Sequence, residues 1–152
     1  MRNDDQKWDL RYLELARGVS TWSKDPSRKI GAVAIGSKGQ VLSQGFNGFP
    51  RGIFDAPHRY EDRETKYKYV VHAEMNCIYN ATFSGVSLDS ASLYVWGLPI
   101  CSECSKGIIQ VGIRQVFWAT DQEIPPIWTE SLVLTSSMLN EAGVRIDRLH
   151  LS

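Results

Sequence analysis

Two short segments, HAE at residues 72–74 and CSEC at residues 101–104, constrain this chain more than any other feature of its sequence. Each follows a stretch with strand character and opens a stretch with helical character, so each marks a strand-to-helix junction. Two such junctions can converge in space. The sequence therefore predicts a fold that brings the imidazole of His72 next to the thiols of Cys101 and Cys104.

These three side chains have the composition of a catalytic zinc site. A catalytic zinc has three protein ligands and one open coordination position. Helix N-termini and a bound cation both favour the thiolate form of cysteine, which the metal requires. Glu74 is not needed as a ligand. Because it lies two residues from His72, it is predicted to act as a general acid/base toward water.

Each of these residues also has a structural interpretation. A single histidine before a helix is usually structural, Glu74 in a first helical turn suits the helix dipole, and a Cys-x-x-Cys pair occurs in redox proteins. A closed structural zinc site would need a fourth ligand, for which His58 and Cys77 are the candidates. The joint occurrence of His-x-Glu and Pro-x-Cys-x-x-Cys, each at a strand-to-helix junction, favours a catalytic metal site.

The hydrophobic pattern predicts an initial helix and hairpin, followed by alternating helices and strands. Helices are predicted over residues 4–23, 73–85, 101–112 and 128–143, and strands over residues 30–36, 41–47, 92–97, 114–120 and 144–149. This order predicts an α/β fold, a three-layer α/β/α sandwich with a mixed five-stranded sheet. Residues 48–69, rich in glycine, proline and charge, are predicted to form a long loop, and loops of this length in a compact domain are usually functional or mobile.

The spacing of apolar residues predicts which helix faces are buried. In the first helix, the predicted buried face consists of Trp8, Tyr12, Leu15, Val19 and Trp22. In the helix after His72, the side chains predicted to face inward are Met75, Ile78 and Phe83. Gly85 is predicted to end that helix.

The overall composition argues against several functional classes. Lysine plus arginine (17) balances aspartate plus glutamate (17), so no basic field points to nucleic acid. No segment is long and apolar enough to span a bilayer, and the polar N-terminal segment lacks the apolar core of a signal peptide. Three cysteines do not suit a disulfide framework. We therefore expect one cytoplasmic domain, residues 1–152, without nucleic-acid or membrane partners.

Both metal-site segments match a known signature. HAE and PICSEC resemble the His-x-Glu and Pro-Cys-x-x-Cys segments of the cytidine/deoxycytidylate deaminase superfamily of zinc enzymes. One difference is Ile100, which separates Pro99 from Cys101, whereas the usual proline directly precedes the first cysteine. The segments SKDPSRKIGAV, GFNGFPRG and KYKYVVHAEMNCI are similar to deoxycytidylate (dCMP) deaminases in particular. The resemblance covers roughly residues 8–120 and implies a cytidine deaminase-like fold.

The resemblance implies a reaction, the zinc-dependent hydrolysis of dCMP to dUMP and ammonia, with Glu74 transferring the protons. Alternatives within the superfamily are deaminases of other cytosine nucleotides or nucleosides and tRNA adenosine deaminases. An alternative outside it is a non-catalytic zinc-binding domain, for which an acid/base beside the metal would have no use.

The resemblance also implies a substrate site. The backbone N–H of Ala73 is expected to hold the base O2, and the amide of Asn47 to bind a sugar hydroxyl. The expected phosphate ligands are Ser23, Lys24 and Arg28. Candidates for stacking on the base are Phe46, Tyr69 and Trp96.

A third implication concerns regulation and assembly. The Gly-aromatic-Asn-Gly segment is associated in this family with an allosteric nucleotide site, where dCTP activates, dTTP inhibits and Mg²⁺ accompanies the triphosphate. The candidate residues for such a site are Phe46, Asn47, Gly48 and Arg51. Members typically form hexamers, so the resemblance implies a homo-oligomer, with a hexamer favoured.

Overall fold

The computed structural model describes residues 3–151, with side chains from residue 6 onward; Met1, Arg2 and Ser152, the ends of the predicted domain, lie outside the described residues. Its helices are α1 (Asn3–Ser20), α2 (Pro57–Glu61), α3 (Arg63–Tyr69), α4 (Ala73–Phe83), α5 (Ser102–Gln110) and α6 (Thr129–Glu141), with a 3₁₀ turn at Pro126–Trp128. Its strands are β1 (Gly31–Ile35), β2 (Val41–Phe46), β3 (Ser92–Trp96), β4 (Gln115–Ala119) and β5 (Arg145–Arg148). Within residues 3–151, no helix combines the length and apolar character needed to cross a membrane.

The five strands form one mixed sheet in the order β2-β1-β3-β4-β5. Strand β1 pairs antiparallel with both β2 and β3, whereas β3, β4 and β5 run parallel. Helix α1 packs on one face of the sheet, while α4 and α5, with Leu139 of α6, pack into the core on the other face. The prediction of a three-layer α/β/α sandwich with a mixed five-stranded sheet is therefore confirmed.

The buried face of α1 differs from the predicted one. Trp8, Leu15 and Trp22 are each about half exposed, whereas Leu13, Ala16 and Val19 are buried. Of the predicted face, Val19 is buried and Tyr12 packs partly against the core. The prediction was wrong for Trp8, Leu15 and Trp22, because the helix contacts the sheet through the three buried side chains instead.

Helix α4 keeps most of its predicted orientation. Ile78 is buried, and Met75 packs partly against the same core. Phe83 is 78% exposed, so its predicted inward position was wrong. The helix ends at Phe83, and Gly85 follows it with a φ of 71°, a left-handed conformation that suits glycine.

The predicted long loop at residues 48–69 contains two short helices, α2 and α3, so its assignment as irregular structure was wrong. Contacts between residues distant in sequence attach these helices to the rest of the fold. Phe49 stacks on Tyr60 with ring centroids 4.2 Å apart. Gly48 and Val71, at the two ends of the segment, form an isolated antiparallel bridge. The bridge keeps the segment next to the start of α4.

One close approach fixes the position of α4 on the sheet. A Cβ atom at Gly45 of β2 would lie 2.3 Å from the backbone N of Cys77 and 2.8 Å from the backbone O of Ala73. Only glycine permits this approach, because any larger residue would push the first turns of α4 away from the strand. The N-terminus of α4 is thereby held against the end of β2.

Candidate active site

His72, Cys101 and Cys104 converge as the sequence predicts. The Nδ1 atom of His72 lies 3.3 Å from the Sγ atom of Cys101 and 3.4 Å from that of Cys104. One ligand atom from each residue lies within 4.8 Å of those of the other two. Among the described residues, these three side chains form a group that could hold a metal ion. His58 and Cys77, considered as a fourth ligand, do not belong to it.

Two helix N-termini position these ligands. His72 is the N-cap residue of α4, and its side chain makes no capping hydrogen bond, so the imidazole is available to a metal. Cys101 is the N-cap residue of α5, and its Sγ accepts a hydrogen bond from the backbone N–H of Cys104 at 3.4 Å. Both helix dipoles place positive potential at this point and favour the thiolate form.

The protonation state of each of these three side chains depends on its neighbours in the group. Hydrogen bonds from Cys104 and His72 lower the pKa of Cys101 to about 4. The hydrogen bond with Cys101 raises the pKa of His72 to about 9. The pKa of Cys104 lies far above its usual range because of its bond to Cys101 and its burial. A metal entering this site must displace protons, so its affinity rises with pH.

The donor set and its spacing fit zinc. Zinc bonds of about 2.0–2.1 Å to nitrogen and about 2.3 Å to sulfur, in a tetrahedron, imply a nitrogen–sulfur separation of roughly 3.6 Å. The two observed separations, 3.3 and 3.4 Å, are close to this value. Imidazole and thiolate are donors that zinc prefers. With three such ligands, a fourth coordination position is left for water or substrate.

Glu74 lies in the first turn of α4, directly beside this group. Its side chain is 4% exposed, and the burial raises its pKa to about 7, an effect opposed by the charge of His72. A carboxyl group with a pKa near neutrality can both accept and donate a proton at physiological pH, as a general acid/base must. Ala73 is fully buried between His72 and Glu74, where the first N–H groups of a helix have no intrahelical acceptor.

Helix α6 supports the cysteine segment, which sequence reasoning did not anticipate. Ile100 is fully buried in the core, and its carbonyl accepts a hydrogen bond of 3.0 Å from the Thr135 hydroxyl. The Ser131 hydroxyl accepts a 2.9 Å hydrogen bond from the N–H of Ser102 at the start of α5. The additional residue between Pro99 and Cys101 is therefore an anchor in the core. The one sequence feature that could have indicated this support is the i, i+4 spacing of Ser131 and Thr135, which places both hydroxyl groups on the same face of α6.

The predicted substrate-binding residues Ser23, Arg28 and Asn47 form one hydrogen-bonded network. The Ser23 hydroxyl donates to the backbone carbonyl of Asn47 at 2.8 Å, and the side-chain amide of Asn47 donates to the backbone carbonyl of Arg28 at 2.9 Å. The side-chain oxygen of Asn47 (Oδ1) accepts from the backbone N–H of Ile30 at 2.9 Å. Because both ends of this buried amide have backbone partners, Asn47 shapes the loop; its contact with a sugar remains a prediction.

The two predicted phosphate cations lie at the edges of this network. Lys24 is exposed, with its Nζ 3.0 Å from a carboxylate oxygen of Asp55. Arg28 donates to the side chain of Gln122 at 3.1 Å and to the carbonyl of Glu123. The cations therefore hold neighbouring segments around the loop at residues 23–29, and their contact with a phosphate remains a prediction.

The predicted base-stacking and regulatory residues have contacts in different parts of the fold. Trp96 packs under α1, where the Arg17 guanidinium lies 4.9 Å from its ring. Tyr69 contacts Phe49, and Phe46 meets Trp22 edge-on. Of the regulatory candidates Phe46, Asn47, Gly48 and Arg51, Arg51 bonds Asn80 and lies over the exposed Phe83 ring of α4. Their roles remain predictions.

Comparison with known proteins agrees with this site. Residues 6–120 match the family model described as the cytidine and deoxycytidylate deaminase zinc-binding region. The chain is 36% identical to an uncharacterized deaminase encoded in the luxG 3′ region of Aliivibrio fischeri, over 95% of each chain. It is 37% identical to the deoxycytidylate deaminase of Homo sapiens, over 80% of this chain and 69% of that protein.

A solved structure shows the same fold. The dCMP deaminase of cyanophage S-TIM5, crystallised in complex with dCMP and dUMP, superposes with a TM-score of 0.74 over 98% of this chain and 99% of that one, at 24% identity. The family model covers most of the sequence, and its zinc-binding character agrees with the His/Cys/Cys group. The chain belongs to the cytidine and deoxycytidylate deaminase family.

Proposed function

We propose that this chain catalyses the hydrolytic deamination of dCMP to dUMP and ammonia. The observation that carries the proposal is the burial of Glu74 beside the His72, Cys101 and Cys104 group. A structural zinc site has no use for a buried carboxyl at its edge, and a redox cysteine pair needs neither the imidazole nor the carboxyl. Relatives named deoxycytidylate deaminase, at 36–37% identity, support dCMP as the substrate.

In the proposed reaction, His72, Cys101 and Cys104 hold zinc and Glu74 moves the protons. Zinc, when bound, supplies a nucleophile at neutral pH by lowering the pKa of a water from about 15.7 toward about 7. Glu74 takes a proton from the attacking water and delivers it to N3 of the cytosine as the new C4–O bond forms. It then passes the second proton to the amino group, the C4–N bond breaks, and ammonia leaves.

The remaining substrate contacts are proposed from the position of each group. The N–H of Ala73, at the start of α4, is proposed to bind the base O2, and Asn47 a sugar hydroxyl. The loop at residues 23–29, named here the phosphate loop, is proposed to bind the phosphate through Ser23, Lys24 and Arg28. Of these, Ser23 is buried, its hydroxyl donates to the backbone carbonyl of Asn47 and its N–H to the carbonyl of Ser20, so its main role is proposed to be the shape of this loop.

A substrate comparison tests the proposal. With the zinc-loaded protein, kcat/KM for dCMP should exceed that for deoxycytidine by about 10²-fold or more, because hydrogen bonds to a charged group each contribute about 1.5–3 kcal/mol. The measurement is ammonia release from dCMP, deoxycytidine, CMP, dCTP and adenosine under identical conditions.

Three results of this comparison would contradict the proposal in different ways. Equal kcat/KM for dCMP and deoxycytidine would show that the phosphate is not recognised. Turnover of adenosine alone would move the chain to the adenosine branch of the superfamily. No ammonia from any substrate, with zinc bound and the fold intact, would favour a non-catalytic zinc-binding domain.

Further properties of the family are proposed for the chain as a whole. We propose that residues 1–152 form a single deaminase domain that acts in the cytoplasm on small nucleotides, without a nucleic-acid or membrane partner. A homo-oligomer, with a hexamer favoured, follows from the family resemblance. Light scattering of the purified zinc-loaded protein would measure the assembly directly.

Regulation by dCTP as activator and dTTP as inhibitor, with Mg²⁺, is proposed with Arg51 as a triphosphate ligand. Arg51 lines a surface cavity of about 380 Å³ between β2 and α4, together with Asn80 and Phe83. If Arg51 binds a triphosphate, Arg51→Ala should remove the response of dCMP turnover to both nucleotides and leave the unregulated rate unchanged. Arg63→Ala, which removes an exposed arginine of α3, is the matched control. A wild type indifferent to both triphosphates would contradict the regulation, and an Arg51→Ala protein that still responds would place the site elsewhere.

A further inference from the structure

A buried ion pair joins helix α3 to the phosphate loop. The Nζ atom of Lys66 lies 3.3 Å from one carboxylate oxygen of Asp25 and 3.4 Å from the other. Lys66 is 8% exposed and Asp25 is 4% exposed. Among ion pairs between the described side chains, this is the one in which both partners are buried. Burying two charges has a large desolvation penalty, so a buried pair at this position indicates a role other than stability alone.

Asp25 has a local task that explains the carboxylate. Its Oδ1 accepts hydrogen bonds from the backbone N–H groups of Ser27, at 2.8 Å, and Arg28, at 3.4 Å. Its own N–H donates to the Ser23 hydroxyl at 3.2 Å. Aspartate commonly shapes turns through such bonds to the backbone two residues on. Asp25 thereby sets the conformation of the phosphate loop.

The same carboxylate is unfavourable for binding a phosphate. The loop carries three cations, Lys24, Arg28 and Lys29, but a buried negative charge in its centre repels an incoming phosphate dianion. Burial weakens the screening of this repulsion by water and salt. The loop therefore needs the conformation that Asp25 provides without the negative charge that Asp25 brings.

We propose that Lys66 is the internal counter-ion of the phosphate loop, a positioning residue that cancels the charge of Asp25 so that the loop can receive the phosphate of the substrate. The inference rests on the proposed function and deepens it. Lys66 reaches Asp25 from α3, which the Gly48–Val71 bridge and the Phe49–Tyr60 stack hold near the loop. Since the two carboxylate oxygens occupy its ammonium group, Lys66 acts through Asp25, and the phosphate is bound by the loop.

Two variants separate the effect of removing the Lys66 charge from the effect of the net charge left at the Lys66–Asp25 pair. In the zinc-loaded full chain, Lys66→Met should raise KM for dCMP by about tenfold or more, because the carboxylate left at the loop repels the phosphate. Its kcat/KM for deoxycytidine, which has no phosphate, should change little. Adding Asp25→Asn should recover most of the dCMP affinity, since no net charge then remains at the pair. Lys68→Met, which removes an exposed lysine of the same helix, is the matched control and should leave both substrates unaffected.

Each outcome decides the inference. Equal losses on dCMP and deoxycytidine in Lys66→Met would assign Lys66 a purely structural role and overturn the proposal. A double variant that folds but recovers no dCMP preference would also overturn it, since Lys66 would then act on the phosphate itself. If Lys66→Met does not fold, as thermal unfolding would show, the charge-balanced double variant provides the test. A wild type that fails to distinguish dCMP from deoxycytidine would overturn the proposed phosphate recognition, and the inference with it.

Discussion

Glu74→Gln should keep the fold and the zinc and lose about 10²–10⁴-fold in kcat for dCMP, because the amide cannot carry protons between water, N3 and the leaving amino group. Two proton transfers depend on this one carboxyl, so the upper end of the range is expected. The fold should persist because the buried site favours a neutral group: burial raises the pKa of Glu74 from 4.5 to about 7. Its carboxyl therefore favours folding most below pH 4.5 and loses that advantage as the pH rises through 7, whereas the amide does not titrate.

The measurement pairs turnover with zinc content and thermal unfolding. Glu103→Gln is the matched control, because Glu103 lies in the first turn of α5, near the same cysteines, but is exposed and paired with Lys106. That variant should retain near-normal turnover. If Glu74→Gln turned over dCMP at a near-normal rate, another group would carry the protons, and the role proposed for Glu74 would be wrong. Loss of zinc in Glu74→Gln would instead make Glu74 part of the metal site.

The metal ligands and Glu74 could be predicted because they occur as two pairs that are close in sequence. His72 and Glu74, and likewise Cys101 and Cys104, are fixed relative to each other by the first turn of one helix. One long-range inference, the convergence of two helix starts, then joined the two segments. The strand predicted before His72 was wrong: α3 precedes it, followed by the single bridge residue Val71. Strands β2 and β3 both pair antiparallel with β1 and so run in the same direction. Helices α4 and α5, which pack on the same side of the sheet, therefore begin at the same end of it.

The buried face of α1 was missed because apolar spacing does not report how closely a helix approaches a sheet. A Cβ atom at Gly31 would lie 2.0 Å from the carbonyl oxygen of Ala16, so the helix and β1 touch at their backbones. Such contact requires small residues at the interface. The large rings of Trp8 and Trp22 cannot fit beneath a helix that lies this close, and they remain half exposed.

Helices α2 and α3 were missed for a different reason. Segments of 5 and 7 residues are too short to be stable alone, and these two carry charged residues without an apolar period. Tertiary contacts position them: the Lys66–Asp25 pair joins α3 to the loop at residues 23–29, and the Phe49–Tyr60 stack joins α2 to the start of the segment. Both contacts join residues that propensity and periodicity treat as unrelated. The support of Cys101 by α6 has the same character, since Thr135 bonds the carbonyl of Ile100.

Cys101→Ser should fold with α5 in place and lose most of its zinc. Serine is a good N-cap residue, so it can replace the hydrogen bond that the Cys101 sulfur accepts from the N–H of Cys104. A hydroxyl is a poor zinc ligand compared with a thiolate, so one of three ligands is lost. We expect zinc affinity to fall by more than the roughly 10–100-fold that follows loss of a hydrogen-bond partner behind a metal ligand. Activity on dCMP should fall with it.

Zinc content per chain, measured by elemental analysis after dialysis, checks this expectation, with Cys77→Ala as the matched control. Cys77 is fully buried in α4, and burial raises its pKa to about 12, so it is a neutral thiol in the core that contributes no metal ligand. Its variant should keep zinc despite a small loss of stability. Adding zinc should raise the unfolding temperature of wild type and Cys77→Ala but not of Cys101→Ser, because a metal stabilises only the folded state that binds it. Full zinc retention by Cys101→Ser, or zinc loss by Cys77→Ala instead, would show that the ligands assigned to this site are wrong.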